Sequence, residues 1–424
     1  MKIKSLNLTH YRGAIALPLV FDERLNVFFG VNGAGKSTVL DALALMLSWA
    51  VSRIRHPGSS GRPIAEEDIA NGKSSAIIDI ACSTEIGPFE WKLSKSRPGH
   101  LAEEKSTFNG LSEYARSIQA RIVETEAQYN IPLLVHYPVN RAVLDIPLRI
   151  KGKHRFNLLS AHEDALSGGA NFRTFFEWFR EREDLENENR KYQDDLIKPD
   201  DYCYPDPQLE AVRRALSQFL PEFSNLTVRR NPLRMEVEKQ GKRLSVNQLS
   251  DGEKCMIALI ADLARRLAIA NPTLADPLQG AGVVLIDEID LHLHPKWQRL
   301  VVPRLLEVFS GCQFIISTHS PHVITHVQPE SLYLLRQTAN GIEAEKPRES
   351  YGKNVDRILE DLMGMDTTRP ILVDADLHTI FQTIDDGDLD TARKLIDALR
   401  KSIGNDPELV KADVLIRRKE IVGK

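Results

Sequence analysis

LNVFFGVNGAGKSTVLDALALMLSWAV, residues 25 to 51, decides how the rest of the chain is read. Its first five residues have the continuous apolar face of a buried strand, and the pattern from about Lys36 to Arg53 is helical. Between them GVNGAGKST, residues 30 to 38, fits G-x-x-x-x-G-K-[ST] in the strand, turn and helix setting that gives this motif its meaning. Glycines let the backbone curl until successive amide hydrogens face one point, and the following helix adds its positive end. A triphosphate fits such a nest. Asn32, Gly33 and Gly35 then shape the loop, Lys36 reaches the β- and γ-phosphates, Ser37 ligates Mg²⁺ and Thr38 donates to the α-phosphate. ATP and Mg²⁺ are the expected ligands.

A phosphate loop alone leaves many nucleotide hydrolases open, and a second motif narrows them. In VVLIDEID, Asp287 and Glu288 follow a four-residue apolar strand, where Asp287 can hold Mg²⁺ through water and Glu288 can polarise an attacking water. Taken by itself, the pair would also suit a solvated turn. FIISTHSP places His319 at the end of another apolar strand. Alone, such a histidine reads as structural; as the third strand-end polar group of one parallel sheet, it is expected to face the γ-phosphate. His292 and His294 lack nearby Cys or acidic partners of known metal geometry, and no metal is expected there. LSDGEK, residues 249 to 254, opens a helix, because Ser250 with Glu253 makes a capping box before CMIALIADLARRLAIA.

The surrounding chain of 424 residues is too long for one ordinary core, and predicts two or three domains or one large elaborated domain. With 42% hydrophobic and 27% charged residues it has the composition of a folded soluble protein. The net charge of −4 gives no global basic field, so nucleic acid would have to be met by local clusters. RIKGKHR (149 to 155) and RRNPLR (229 to 234) are the candidates, and both also suit solvated surface. Cys82, Cys203, Cys255 and Cys312 are isolated, which points to a reduced, cytoplasmic setting. No secretory leader is recognisable, and the apolar run VLDALALMLSWAV is shorter than a membrane span and carries Asp41, so neither export nor membrane insertion is expected. KIKSLNL and AIALPLVF alternate like strands, and SSAIIDIACS with PFEWKLS reads as a hairpin on a mostly antiparallel sheet. A helix near 110 to 128 leads to the buried strand IPLLVHY. A charged helical excursion follows within about 141 to 199, then a second helical region over about 206 to 275. GVVLIDE and QFIISTH suit a parallel sheet, and a helical tail begins near Asn354.

The order of these motifs, from an N-terminal strand with YRG through GVNGAGKST, a helical insertion, LSDGEK, LIDE and STH, resembles the ABC ATPase superfamily, in its branch of structural-maintenance, RecF-type and OLD-type ATPases. The resemblance covers about residues 1 to 345. It implies an α/β fold, an ABC-type P-loop ATPase head with a mixed-sheet lobe, a helical lobe and a C-terminal helical extension. The implied boundaries are 1–140 and 279–346 for the two parts of the sheet lobe, 141–278 for the helical lobe and 347–424 for the extension. It also implies that the LSDGEK turn completes the site of a second subunit, Ser250 and Gly252 donating to the γ-phosphate of the opposite ATP. The free amides of a capped helix start make this physically reasonable. Asp251 and Glu253 depart from the usual LSGGQ. Asn140, at the end of LLVHYPVN, stands near the Q-loop position, Arg12 after Tyr11 matches the branch's nucleotide-side loop, and His294 stands where the D-loop usually has Asp.

Within the branch, DEIDLHLHP and the segment SYGKNVDRILEDLMGM resemble the Septu ATPases of bacterial antiphage defence and their retron-associated relatives. That implies a homo-dimer or higher homo-oligomer holding an HNH nuclease partner. Two alternatives stay open: a RecF-type repair ATPase that binds DNA, and an OLD-type nuclease using Asp374 and Asp376 of VDADL, which otherwise read as a helix start. Nothing resembles the coupling partner of a transporter subunit.

Overall fold

The computed structural model describes residues 1–100, 104–139, 156–168, 172–195, 197–199 and 202–422. The alternation seen at the N-terminus builds one antiparallel sheet from β1 (Lys2–Tyr11), β2 (Ala14–Val20), β4 (Ser75–Thr84) and β5 (Gly87–Ser96), in the order β2-β1-β4-β5. Ile3, Leu6 and Leu8 of β1 turn inward. The continuous apolar runs build a second sheet, with β3 (Leu25–Phe29), β6 (Leu133–Tyr137), β10 (Gly282–Ile286), β11 (Cys312–Ser317), β12 (Leu332–Thr338) and β13 (Gly341–Glu345). Its order is β13-β12-β3-β11-β10-β6, parallel throughout except for the β12/β13 pair. Every residue of β3, β6, β10 and β11 is buried, as a parallel sheet covered on both faces requires. The mixed α/β class expected from the sequence is the observed one.

Helix α1 (Lys36–Arg55) packs against β6, β10 and β11 of this sheet and against β4 of the other. By length and composition it could cross a membrane, but it is a core helix, with Val39, Leu40, Leu43 and Leu47 fully buried. Helix α2 (Asn109–Glu124) covers the β5 edge. Within the excursion lies α3 (Phe172–Arg190), and after it come α4 (Pro207–Phe219) and the long α5 (Asp251–Ala270). The region read as helical over 206 to 275 is helical only at its ends. Between α4 and α5 lies a three-stranded antiparallel sheet, β7 (Phe223–Arg230), β8 (Leu233–Lys239) and β9 (Lys242–Ser245). Leu226, Val228, Met235 and Val237 face inward while charged neighbours face out, a period-two pattern that the high charge of the segment obscured. Helices α6 (Pro295–Val308) and α7 (Pro321–Ile324) complete the unit Met1–Lys353.

A separate compact unit, Asn354–Lys424, holds α8 (Val355–Arg357), α9 (Ile371–Asp385), α10 (Leu389–Ile403) and α11 (Pro407–Val422) around its own core of Leu377, Ile380, Ile384, Ile396, Leu399, Leu409 and Ile416. Asp374 and Asp376 are exposed in the first turns of α9, a helix and not the strand end that an OLD-type nuclease site uses.

Candidate nucleotide site

The parallel register brings the carboxyl ends of β3, β11, β10 and β6 to one edge, where open α/β sheets place their ligands. The Asp287 amide donates to the Tyr137 carbonyl at 2.9 Å and the Thr318 amide to the Phe28 carbonyl at 3.0 Å, so four strand ends are in step. From them come the phosphate loop, the acidic pair and His319.

Gly35 shows why the loop has its sequence. It sits at φ 99°, and a Cβ there would lie 2.3 Å from Ile342 Cδ1, so glycine is required. It precedes α1, which has no side-chain cap and no acid in its first turn, leaving its first amides to a ligand. Lys36 folds back across the loop, its Nζ donating to the carbonyls of Gly30 at 3.0 Å and Val31 at 3.1 Å. Burial lowers the Lys36 pKa, against the opposing pull of Glu288, Asp287 and Asp290. Asn32, Gly33 and Ser37 are exposed at the mouth and Thr38 is half-buried. This is a cationic, amide-lined cradle whose chemistry suits a magnesium-bound triphosphate, and Ser37 and Asp287 are residues that could hold its metal.

Opposite the loop, Ser317 organises the acids. Its hydroxyl accepts from the Glu288 amide at 2.8 Å and donates to Asp287 Oδ1. Glu288 sits at φ 47°, an unusual place for a non-glycine residue, and the Ser317 contact helps hold it there. Asp290 Oδ1 accepts from Thr318 Oγ1 at 2.5 Å and from the His319 amide at 3.2 Å. Gln298 joins the same loops, its amide donating to the Leu293 carbonyl at 2.9 Å and its oxygen accepting from Ser320 Oγ at 2.7 Å. His319 Nε2 lies 3.9 Å from Glu288 Oε1, with both side chains about 30% exposed. Burial, then Lys36, lower the His319 pKa, while Glu288 and Asp290 pull the other way; the net direction favours the neutral ring. Ser317, Asp290 and Gln298 were not singled out in the sequence. The hydroxyl run STHS and the third acid of DEID are the signals that mark the first two.

Ser250 caps α5, donating its hydroxyl to Glu253 Oε2 at 2.8 Å while its amide reaches the same oxygen at 2.8 Å. Glu253 turns inward to pair with Lys239; burial works to raise its pKa, but that pair and Ser250 outweigh it and hold the carboxyl below its usual value. Asp251 is the acid left facing solvent, 3.3 Å from Lys254. A Cβ on Gly252 would lie 2.3 Å from the His292 carbonyl, so the start of α5 is packed directly on the loop that follows Glu288. His294 caps α6, its Nδ1 accepting from the Lys296 amide at 3.2 Å, which gives the ring a structural role. Arg12 is held by Asp68 at 2.8 Å and by Asp41 of α1 at 2.6 Å. Asn140 and the RIKGKHR cluster lie outside the described residues.

A protein-family profile described as "AAA domain, putative AbiEii toxin, Type IV TA system" matches residues 25–325. The chain is 33% identical to the retron Ec83 probable ATPase of Escherichia coli over 416 residues, covering 85% of this chain and 76% of that protein. It is 24% identical to the Septu protein PtuA of Bacillus thuringiensis, covering 88% of this chain and 87% of the relative. Among solved structures, the SMC head domain from Thermotoga maritima aligns at 15% identity and a TM-score of 0.45, over 82% of this chain and all of that one. Matched by that profile over most of its length and by the retron Ec83 probable ATPase across more than four fifths of it, the chain belongs to the family that this profile describes.

Proposed function

We propose that this protein binds and hydrolyses ATP in a site completed by a second copy of itself, and that closure of the pair controls a separate nuclease in antiphage defence. The observation that carries the reading is the convergence, at one sheet edge, of Lys36, the Asp287–Glu288 pair and His319, with Glu288 and His319 3.9 Å apart. Lys36, Ser37, Thr38 and the loop amides bind the phosphates. Mg²⁺, when bound, neutralises phosphate charge and polarises the scissile group. Glu288 takes up the proton of the attacking water, and His319, neutral and amide-anchored by Asp290, orients at the γ-phosphate. Ser250 and Gly252 present the helix start of one copy to the nucleotide of the other, and Arg12 serves the nucleotide side of the loop.

The nuclease partner rests on the kinship with retron and Septu ATPases, and the chain is read as a soluble, cytoplasmic protein on the same ground. Direct DNA binding through RRNPLR finds less support, because Arg230 is paired with Glu183 and Asp184, and Arg229 and Arg234 with Glu236. The test is the mass of Glu288→Gln with and without ATP and Mg²⁺, followed by identification of the proteins that co-purify with it. An ATP-dependent doubling or higher multiple that retains an HNH protein is expected. A monomer at saturating ATP would overturn the dimer, and a nuclease-free oligomer would overturn the partner.

A further inference from the structure

Three turns into α5, away from the capped start, lies a group of charges that the nucleotide site does not use. Asp262, Arg265 and Arg266 are all but completely buried. Arg265 Nη2 donates to Asp262 Oδ1 at 2.7 Å and Arg266 Nε to Oδ2 at 2.7 Å. Arg266 Nη1 also donates to the carbonyls of Ala161 at 2.7 Å and Glu163 at 2.9 Å. A third donor to Asp262 is the Tyr137 hydroxyl, at 3.0 Å. One carboxylate with two guanidiniums leaves a net positive charge in the interior, and an apolar core of the same volume would commonly be as stable or more so. What such a network does provide is a fixed geometry, since the bonds that Asp262 accepts form in one register of helix and strand, although Arg265 Nε is buried without a partner.

Tyr137 is the last residue of β6, and it has a second attachment. Its carbonyl accepts the amide of Asp287, beside Glu288. One residue therefore holds α5 through its hydroxyl and the acidic loop through its backbone. At the other end of α5, Ser250 and Gly252 form the turn assigned above to a second copy.

We infer that Tyr137 and Asp262 are positioning residues for ATP hydrolysis, coupling the docking of the α5 start to the placement of Asp287 and Glu288. This rests on the composite site proposed above. Docking at Ser250 loads α5 along its axis; α5 is embedded in the core and bonded to Tyr137, so its displacement reaches the Asp287 backbone.

Tyr137→Phe isolates the linkage. It keeps the ring packing and removes a single donor, while Asp262 keeps both arginines, so the fold is retained. ATP affinity and ATP-dependent self-association should stay within about two-fold of the parent, while kcat falls about ten-fold with KM unchanged, the factor expected for about 1.4 kcal/mol of lost alignment. Amide hydrogen exchange in the segment 285–288 should quicken in the ATP-bound assembly, a change that mere loss of global stability would spread over the whole unit. Unchanged kcat and exchange, or a loss of self-association with ATP binding intact, would overturn the linkage. A parent protein that fails to self-associate with ATP would instead overturn the composite site.

Discussion

Ser317→Ala tests the internal logic of the acidic loop. Ser317 is fully buried, and its hydroxyl both accepts from the Glu288 amide at 2.8 Å and donates to Asp287 Oδ1. Removing it takes the Ser317 partner from a part-buried amide, at a cost of up to about 2 kcal/mol, and takes a donor from a carboxylate. Glu288 is at φ 47°, a conformation that costs a non-glycine residue about 1 kcal/mol even when held in place. Without the hydroxyl, conformers that re-pair the amide by turning the Glu288 peptide gain about 2 kcal/mol on the native one. At 1.36 kcal/mol per factor of ten, that shifts the balance about thirty-fold against the conformer with Glu288 aimed at the site, which sets the largest fall expected in kcat. KM stays within about two-fold, because Lys36 and the start of α1 are untouched. Steady-state ATP hydrolysis over a range of ATP concentrations reads both constants. A variant that folds and retains kcat within about three-fold of the parent would refute the role given to Ser317, and with it the account of how Glu288 is held.

Glu288→Gln should lower kcat by about 10²-fold or more with nucleotide binding retained, whereas Lys36→Ala should abolish ATP binding measured by calorimetry. Gly252→Ala puts a Cβ 2.3 Å from the His292 carbonyl, so the α5 start or the loop after Glu288 must move, and hydrolysis should be lost while ATP binding persists. His162 supplies a pH test of stability. Burial pushes its pKa down to about 4, and its Nε2 lies 3.0 Å from the Pro132 carbonyl. The unfolded chain, with a histidine near its ordinary pKa of about 6.5, binds the proton more readily. The contribution is therefore complete above about pH 6.5 and is lost as pH falls toward 4, on the order of 3 kcal/mol in all. Denaturant midpoints for parent and His162→Gln should accordingly converge as the pH is lowered from 7 to 4.5; parallel curves would show that His162 does not titrate on unfolding.

Much of this site was legible because its chemistry is local in sequence. Lys36 follows the glycines that place it, and Asp287, Glu288 and His319 each follow an apolar strand whose type and end are set by burial. The phosphate loop, acidic pair and capped LSDGEK turn therefore emerged from short windows. What those windows could not show is contact between distant segments. Ser317 reads as the last polar residue of a strand until β10 and β11 are aligned, when its hydroxyl falls between Asp287 and Glu288. The Tyr137–Asp262 bond spans 125 residues, and nothing near either residue announces the other. Arg12 stands out only by resemblance, and the pattern gave no sign that Asp41 and Asp68 hold its guanidinium. The strands over 223–245 were missed because Arg229, Arg230, Arg234 and Lys239 made an alternating segment look uniformly charged, whereas each arginine has a carboxylate partner on the sheet or on α3.

The central claim is that one ATP site is built from two copies of the chain, and mixing two inactive proteins tests it most directly. Lys36→Ala lacks a competent phosphate loop but keeps its α5 start; Ser250→Arg blocks that start but keeps the loop. If the site is shared, a mixed pair contains one intact site, drawn from the loop of one chain and the helix start of the other, and ATP hydrolysis should appear on mixing. A mixture no more active than its components, under conditions in which the parent associates with ATP, would contradict the account.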